Sequence, residues 1–295
     1  MITRTLLNIS GQSYRCHVSK LSVRALQTTA AKAQKECFVE ELEEENTGIA
    51  VINFNRPQTR NAISRNFLDE FREAIEGLRY HTKTRVVLIR SLVDKVFCSG
   101  ADLKERATMS SEEISKFLNN LRHAYRGLET LPMPTIAVID GAALGGGLEL
   151  ALCCDMRVAG EHAKIGLPET KLAIIPGAGG TQRLMRVIGL GKAKELIFTG
   201  RNLNGQQALD LGIVNYAVKG GSSFPKALEL AREILPTGPI AIRLAKLAID
   251  RGSQVDLESG LDFEKTCYDQ VVPTEDRIEA LKAFSEKRSP VFKGR

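Results

Sequence analysis

The residues best placed to do chemistry lie in "LGGGLELALCCD" at 144–155, where Gly145, Gly146 and Gly147 are followed by Glu149 in an otherwise apolar run. The glycines raise the entropic cost of starting a helix, and Glu149 puts a charge where a core residue is expected. Two readings account for both features. In one, the segment is a tight strand-to-helix turn with an acid in the first helical turn, where acids are favoured. In the other, the glycines let a ligand approach the backbone N–H groups while the carboxylate faces it.

Either reading needs a scaffold that places this turn at a strand end. "GIAVINFN" (48–55), "RVVLIRS" (85–91), "PTIAVID" (134–140) and "MRVAG" (156–160) read as strands from their apolar, β-branched runs. Between Ser64 and Tyr80, Phe67, Leu68, Phe71, Ile75 and Leu78 recur at helical spacing, with Ser64 as N-cap. A second helix is expected over 111–129, entered through "SSEE". Strands alternating with helices indicate an α/β layered domain, in which active residues gather in the turns after strand C-terminal ends. Chemistry is therefore expected near 98–104, in the turn "FCSGADLKE" (97–105), and near 141–149. A further glycine-rich stretch, "IIPGAGGTQRLMRVIG" (174–189), opens a helical pattern that "GKAKELIFTG" continues. Beyond Pro236 and Pro239 the chain reads as helical over 240–251 and 255–288, an oligomerisation device or a simple helical cap. The division expected is a core over 36–235 and a helical region over 236–295.

Of 295 residues, 43% are hydrophobic and 26% charged, as in ordinary globular chains, and no apolar run reaches the 18 residues of a spanning helix. The formal charge of +6 suggests a nucleic-acid partner only until it is located. Arg4, Arg15, Lys20, Arg24, Lys32 and Lys35 hold all of the excess, with no acid in residues 1–35. From residue 36 onward 35 basic residues balance 35 acidic ones. An acid-free tail with arginine and serine, lacking a continuous apolar segment, reads as a mitochondrial transit peptide over 1–35, the other reading being a basic arm retained on the mature chain. Cys16, Cys37, Cys98, Cys153, Cys154 and Cys267 form no C-x-x-C pair and no metal-ligand spacing with histidine, so packed, reduced thiols are expected, as in a matrix protein.

Three motifs fall at the turns: "FCSGADLKE", "DGAALGGGLELA" and "IGLPETKLAIIPGAGGTQRL". In this order and at these separations they resemble the crotonase (enoyl-CoA hydratase/isomerase) superfamily, from about residue 40 to the C-terminus. No G-x-G-x-x-G follows the first strand and no G-x-x-x-x-G-K-[ST] occurs, so dinucleotide and P-loop readings fall away. The resemblance implies a spiral of ββα repeats with a C-terminal helical trimerisation region, and a homotrimer or a hexamer of two stacked trimers. It implies an acyl-CoA thioester substrate whose enolate oxygen is held by the N–H groups of Ala101 and Gly146, an oxyanion hole. Glu149 and Glu169 match the hydratase pair that holds one water: one carboxylate activates it and the other delivers a proton to C2. An isomerase needs one base only, so the pair favours hydration.

Matching segments imply CoA contacts at Arg60, Ala62, Ser99, Asp102, Leu103 and Lys104, with Phe284 and Lys287 reaching the CoA of a neighbouring subunit. A solvated surface charge is the competing reading for each lysine and arginine among them. No separate cofactor and no metal ion is implied, because CoA is part of the substrate. Within the family the substrate expected is 3-methylglutaconyl-CoA of leucine breakdown, with short- or medium-chain enoyl-CoA esters of fatty-acid oxidation as the alternative. RNA is a partner of a different class. The segment matching the family's proposed RNA helix, "RNAISRNFLDEFREA" (60–74), carries Arg60, Arg65 and Arg72 against Asp69, Glu70 and Glu73. Zero net charge there weakens the case, since counterion release needs a cationic surplus. A catalytically silent interaction protein is argued against by the glutamate pair.

Overall fold

The computed structural model describes residues 35–295. The transit-peptide reading of 1–35 therefore lies outside the described residues except for Lys35, as does Cys16.

Two parallel-rich sheets organise the chain. The larger contains β1 (Cys37–Glu41), β2 (Ile49–Phe54), β3 (Val86–Ser91), β5 (Thr135–Ile139), β7 (Met156–Gly160) and β9 (Tyr216–Val218), in that spatial order. Only β1 runs antiparallel to its neighbour. The smaller sheet pairs β4 (Val96–Cys98), β6 (Ala142–Leu144) and β8 (Lys164–Gly166), all parallel. Strands β3 and β4, then β5 and β6, then β7 and β8 step from the large sheet to the small one before a helical segment follows. This is the ββα spiral.

The central strands are mostly apolar, with Asn53, Arg90 and Arg157 among the exceptions, because both faces are covered. Ala50, Ile52, Phe54, Val87 and Ile89 face the main core, where α1 (Arg65–Arg79) and α3 (Ser111–Glu129) pack. Ile49, Val51, Val86 and Leu88 point the other way onto Ala227, Leu230 and Ala231 of α8 (Phe224–Ile234), as the two-residue strand period demands. Helix α1 starts where expected: Ser64 Oγ accepts from Phe67 N–H. Ser110 and Glu113 form a reciprocal capping box at the start of α3. The helices meet partly through the edge-to-face pair Phe71–Tyr125, whose ring centroids are 6.5 Å apart.

Several expectations are corrected. The segments 97–105 and 141–149 are not turns alone, because Val96–Cys98 and Ala142–Leu144 pair as strands. Glu40 and Glu41 belong to edge strand β1, which no run in the sequence signals. The pattern from 174 onward divides into α5 (Gly180–Ile188) and α6 (Leu190–Thr199) at Gly189, whose φ of 83° leaves helical space. The stretch 255–288 is two helices, α10 (Leu257–Val271) and α11 (Glu275–Glu286), because Pro273 interrupts the helical hydrogen bonding and Thr274 caps the second. Helix α9 (Pro239–Gly252) is tied to the core by Lys246, which bonds Asp155 Oδ2 at 2.8 Å and the Met133 carbonyl.

Candidate active site

The three strands of the small sheet all end on one edge, and each delivers one motif there. Cys98 leads into Ser99–Ala101, Leu144 into the glycine triplet, and Gly166 into the turn that ends at Glu169. Pairing of Cys98 with Ala143, and of Ala143 with Ile165, sets the three exits side by side. They open onto a cleft of about 1190 Å³ lined by Ser99, Ala101, Gly146, Glu149 and Glu169 among others.

The glycine triplet is needed where it stands. Gly147, in α4 (Gly146–Ala151), lies so close to β4 that a Cβ would fall 2.1 Å from the Cys98 carbonyl oxygen. Gly145 adopts φ 53° and ψ −124°, a conformation side chains avoid, and a Cβ there would lie 3.1 Å from Glu169 Oε1. The N–H groups of Gly146 and Ala101 both lie beside this turn: a Cβ built on Gly146 would be 3.7 Å from the Ala101 nitrogen. Among the described residues neither N–H donates to a protein acceptor. Tyr125, fully buried, donates its hydroxyl to the Gly146 carbonyl at 2.6 Å and holds the turn from behind.

Glu149 is 3% exposed, and its Oε1 accepts from the N–H groups of Ala178 (2.8 Å) and Gly180 (2.7 Å), at the start of α5. Burial raises its pKa, opposed by those two N–H groups and by the charges of Arg183 and Arg122. Glu169, 9% exposed, is differently placed. Its Oε2 is buried without a hydrogen-bond partner among the described residues. Burial pushes its carboxyl up to about 7; its own N–H opposes the shift and the Glu149 charge adds to it. Two carboxyls in one cleft, both raised by burial and differently opposed, suit proton relay.

The remaining site expectations divide. Ser99 and Leu103 line the cleft. Arg60, Ala62, Asp102, Lys104, Phe284 and Lys287 are not among its lining residues. Ala62 is buried, whereas Arg60 and Lys104 are exposed. Asp102 is occupied structurally: it caps α2 (Leu103–Arg106) through the Lys104 and Glu105 N–H groups and pairs with Arg56 at 2.8 Å. Although burial raises its pKa, the bond from Arg56 brings the carboxyl below its usual range. Phe284, 86% exposed, and Lys287 lie on and just after α11. In the proposed RNA segment Arg65 pairs with Glu105 and Glu113, and Arg72 with Asp69.

Sequence reading missed Tyr125, Arg56 and the cleft arginines 106, 122, 126, 183 and 186. The i, i+4 spacing of Arg122 and Arg126 on α3 was the one available signal for a shared face.

Residues 44–295 match the family model described as enoyl-CoA hydratase/isomerase. The chain belongs to that family. Human mitochondrial methylglutaconyl-CoA hydratase is 52% identical over 267 residues, covering 89% of this chain and 79% of the relative. Mouse mitochondrial enoyl-CoA hydratase domain-containing protein 2 is 53% identical over 264 residues, covering 88% and 89%. A crystal structure of an enoyl-CoA hydratase from Bacillus anthracis superposes with a TM-score of 0.85 at 46% identity, covering 88% of this chain and all of that one. The family's chemistry here is that of a hydro-lyase acting on acyl-CoA thioesters. A mitochondrial location, read from the N-terminal tail, agrees with the names of these relatives. Among the described residues no helix is long and apolar enough to cross a membrane.

Proposed function

We propose that the protein adds water syn across the double bond of 3-methylglutaconyl-CoA to give 3-hydroxy-3-methylglutaryl-CoA. The observation that carries the hydration step is the presence, in one cleft, of the pinned Glu149 carboxylate and of Glu169, whose Oε2 has no partner among the described residues. Two N–H groups on Glu149 favour its ionised form, which suits it to take a proton from water as oxygen bonds to C3. Electron density moves through C2 to the thioester oxygen, where the Ala101 and Gly146 N–H groups donate hydrogen bonds to the developing oxyanion. Glu169, whose pKa of about 7 lets it hold a proton at neutral pH, delivers that proton to C2. The proton taken by Glu149 returns Glu169 to its acid form, so the cycle consumes only substrate and water. CoA enters as part of the substrate, and no further cofactor is assigned.

The likeness to methylglutaconyl-CoA hydratase supports the acyl chain chosen. Exposed Leu257, Leu261, Tyr268, Ile278, Leu281 and Phe284 on α10 and α11 support the homotrimer or its stacked hexamer, in which Phe284 and Lys287 approach a neighbour's CoA. Comparing kcat/KM for 3-methylglutaconyl-CoA and crotonyl-CoA tests the substrate. A clear preference for the branched acid is expected; equal or reversed values would assign the chain to short- or medium-chain enoyl-CoA hydration instead.

A further inference from the structure

The five arginines lining the cleft are not equivalent. Arg126 and Arg183 are both paired with Glu129, at 2.6 and 2.9 Å. Arg186 donates to the Gln182 carbonyl, and Arg122 Nε to the Gly177 carbonyl at 2.7 Å. Arg106 has none of this. Among the described residues it has no carboxylate partner, and its Nε is buried without a hydrogen-bond acceptor. Its guanidinium carbon lies 5.8 Å from the centre of the Phe117 ring, a weak compensation. Burial lowers its pKa, and the Glu149 carboxylate partly offsets that.

The Arg106 side chain is half-buried, and a buried Nε–H without an acceptor is costly; an incoming carboxylate is the group that best removes the cost, because the planar fork donates two parallel hydrogen bonds to it. Arg106 ends the short helix that begins two residues after the oxyanion candidate Ala101, so it stands close along the chain to the reacting end of the substrate. Leu103, Ile114, Leu118 and Leu121 line the same cleft and supply apolar surface for an acyl chain. An acyl chain ending in a negative group would find its partner at Arg106.

We propose that Arg106 anchors the distal carboxylate of the acyl chain and so selects dicarboxylic enoyl-CoA esters over neutral ones. This rests on the hydratase reading above and deepens it, since it names the side chain that reads the far end of the substrate.

The test uses two unreactive ligands, glutaryl-CoA and butyryl-CoA, as competitive inhibitors of the full-length protein, with crotonyl-CoA hydration as the assay. The wild type is expected to bind glutaryl-CoA more tightly, and Arg106→Gln to shrink that preference about 10- to 100-fold. Arg106→Lys, which keeps the charge but not the fork, is expected to fall between them. An unchanged ratio in either variant overturns the anchor, as does a wild type with no preference. Equal weakening of both ligands overturns it too, since that marks a contact to the shared CoA half. Should Arg106→Gln not fold, the lysine variant alone decides by the same ratio. If the wild type does not hydrate crotonyl-CoA or 3-methylglutaconyl-CoA, direct binding of the two inhibitors still measures the ratio, so the hydratase reading falls without deciding the anchor.

Discussion

Glu149 and Glu169 face one cleft from unlike supports. Glu149 projects from a helix locked against β4 at Gly147, and two backbone N–H groups hold one of its oxygens. Glu169 begins a single 3-10 turn after β8 and leaves one buried oxygen without a partner among the described residues. Burial pushes both carboxyls up, but in Glu149 two N–H donors oppose the shift, whereas in Glu169 the like charge of Glu149 adds to it. Difference of environment, not of residue type, distinguishes the two carboxyls.

The largest test of that contrast removes each carboxylate. Glu149→Gln and Glu169→Gln are each expected to lower kcat by about 10²- to 10⁴-fold, with CoA-ester affinity little changed. Full activity in either variant, measured by steady-state hydration of crotonyl-CoA, would sink the assignment. A smaller effect should fall on one partner alone. Gly145→Ala forces a side chain onto φ 53° and within 3.1 Å of Glu169 Oε1, leaving the Glu149 donors intact. A loss of about 10- to 100-fold in kcat is expected from displacing Glu169, together with a drop in thermal midpoint because alanine resists that backbone conformation. Unaltered kcat would show that Glu169 need not sit where it does.

The smallest effect concerns pH. Glu169 binds its proton more tightly in the folded state than in the unfolded chain, so its contribution is stabilising only while it stays protonated. Stability should decline as pH rises from about 4.5 through about 7, and kcat/KM should fall on the alkaline side with an apparent pKa near 7 belonging to the coupled pair. Denaturant titrations of wild type and Glu169→Gln at pH 5 and pH 8 measure it. A stability difference between the two proteins that does not change with pH would remove the raised pKa from the account.

Much of the scaffold was legible beforehand. Strands β2, β3 and β5 carry apolar runs, β7 a shorter one interrupted by Arg157, and α1 and α3 carry both periodicity and their capping residues Ser64 and Ser110. The strands that build the site were not. β4, β6 and β8 have three residues each, too few to show a period, and their ladders join segments far apart in sequence. Arg56 escaped notice for the same reason, since its role depends on Glu36 and Asp102 lying beside it in space. Pro273 was visible in the sequence, but helical composition on both sides of it concealed the break.

The sequence by itself determined the chemical types present and their order: a glycine triplet, an acid after it, another acid twenty residues on, and the motifs that mark the family. Only the tertiary structure decided that these groups meet. Three short parallel strands end on one edge because their register aligns Cys98, Ala143 and Ile165. That alignment sets Ala101, Gly146, Glu149 and Glu169 around one cleft, where the Arg106 Nε has no acceptor among the described residues. Which oxygen is pinned, which is orphaned and which cation lacks a partner are consequences of burial and long-range pairing, and local sequence patterns carry neither.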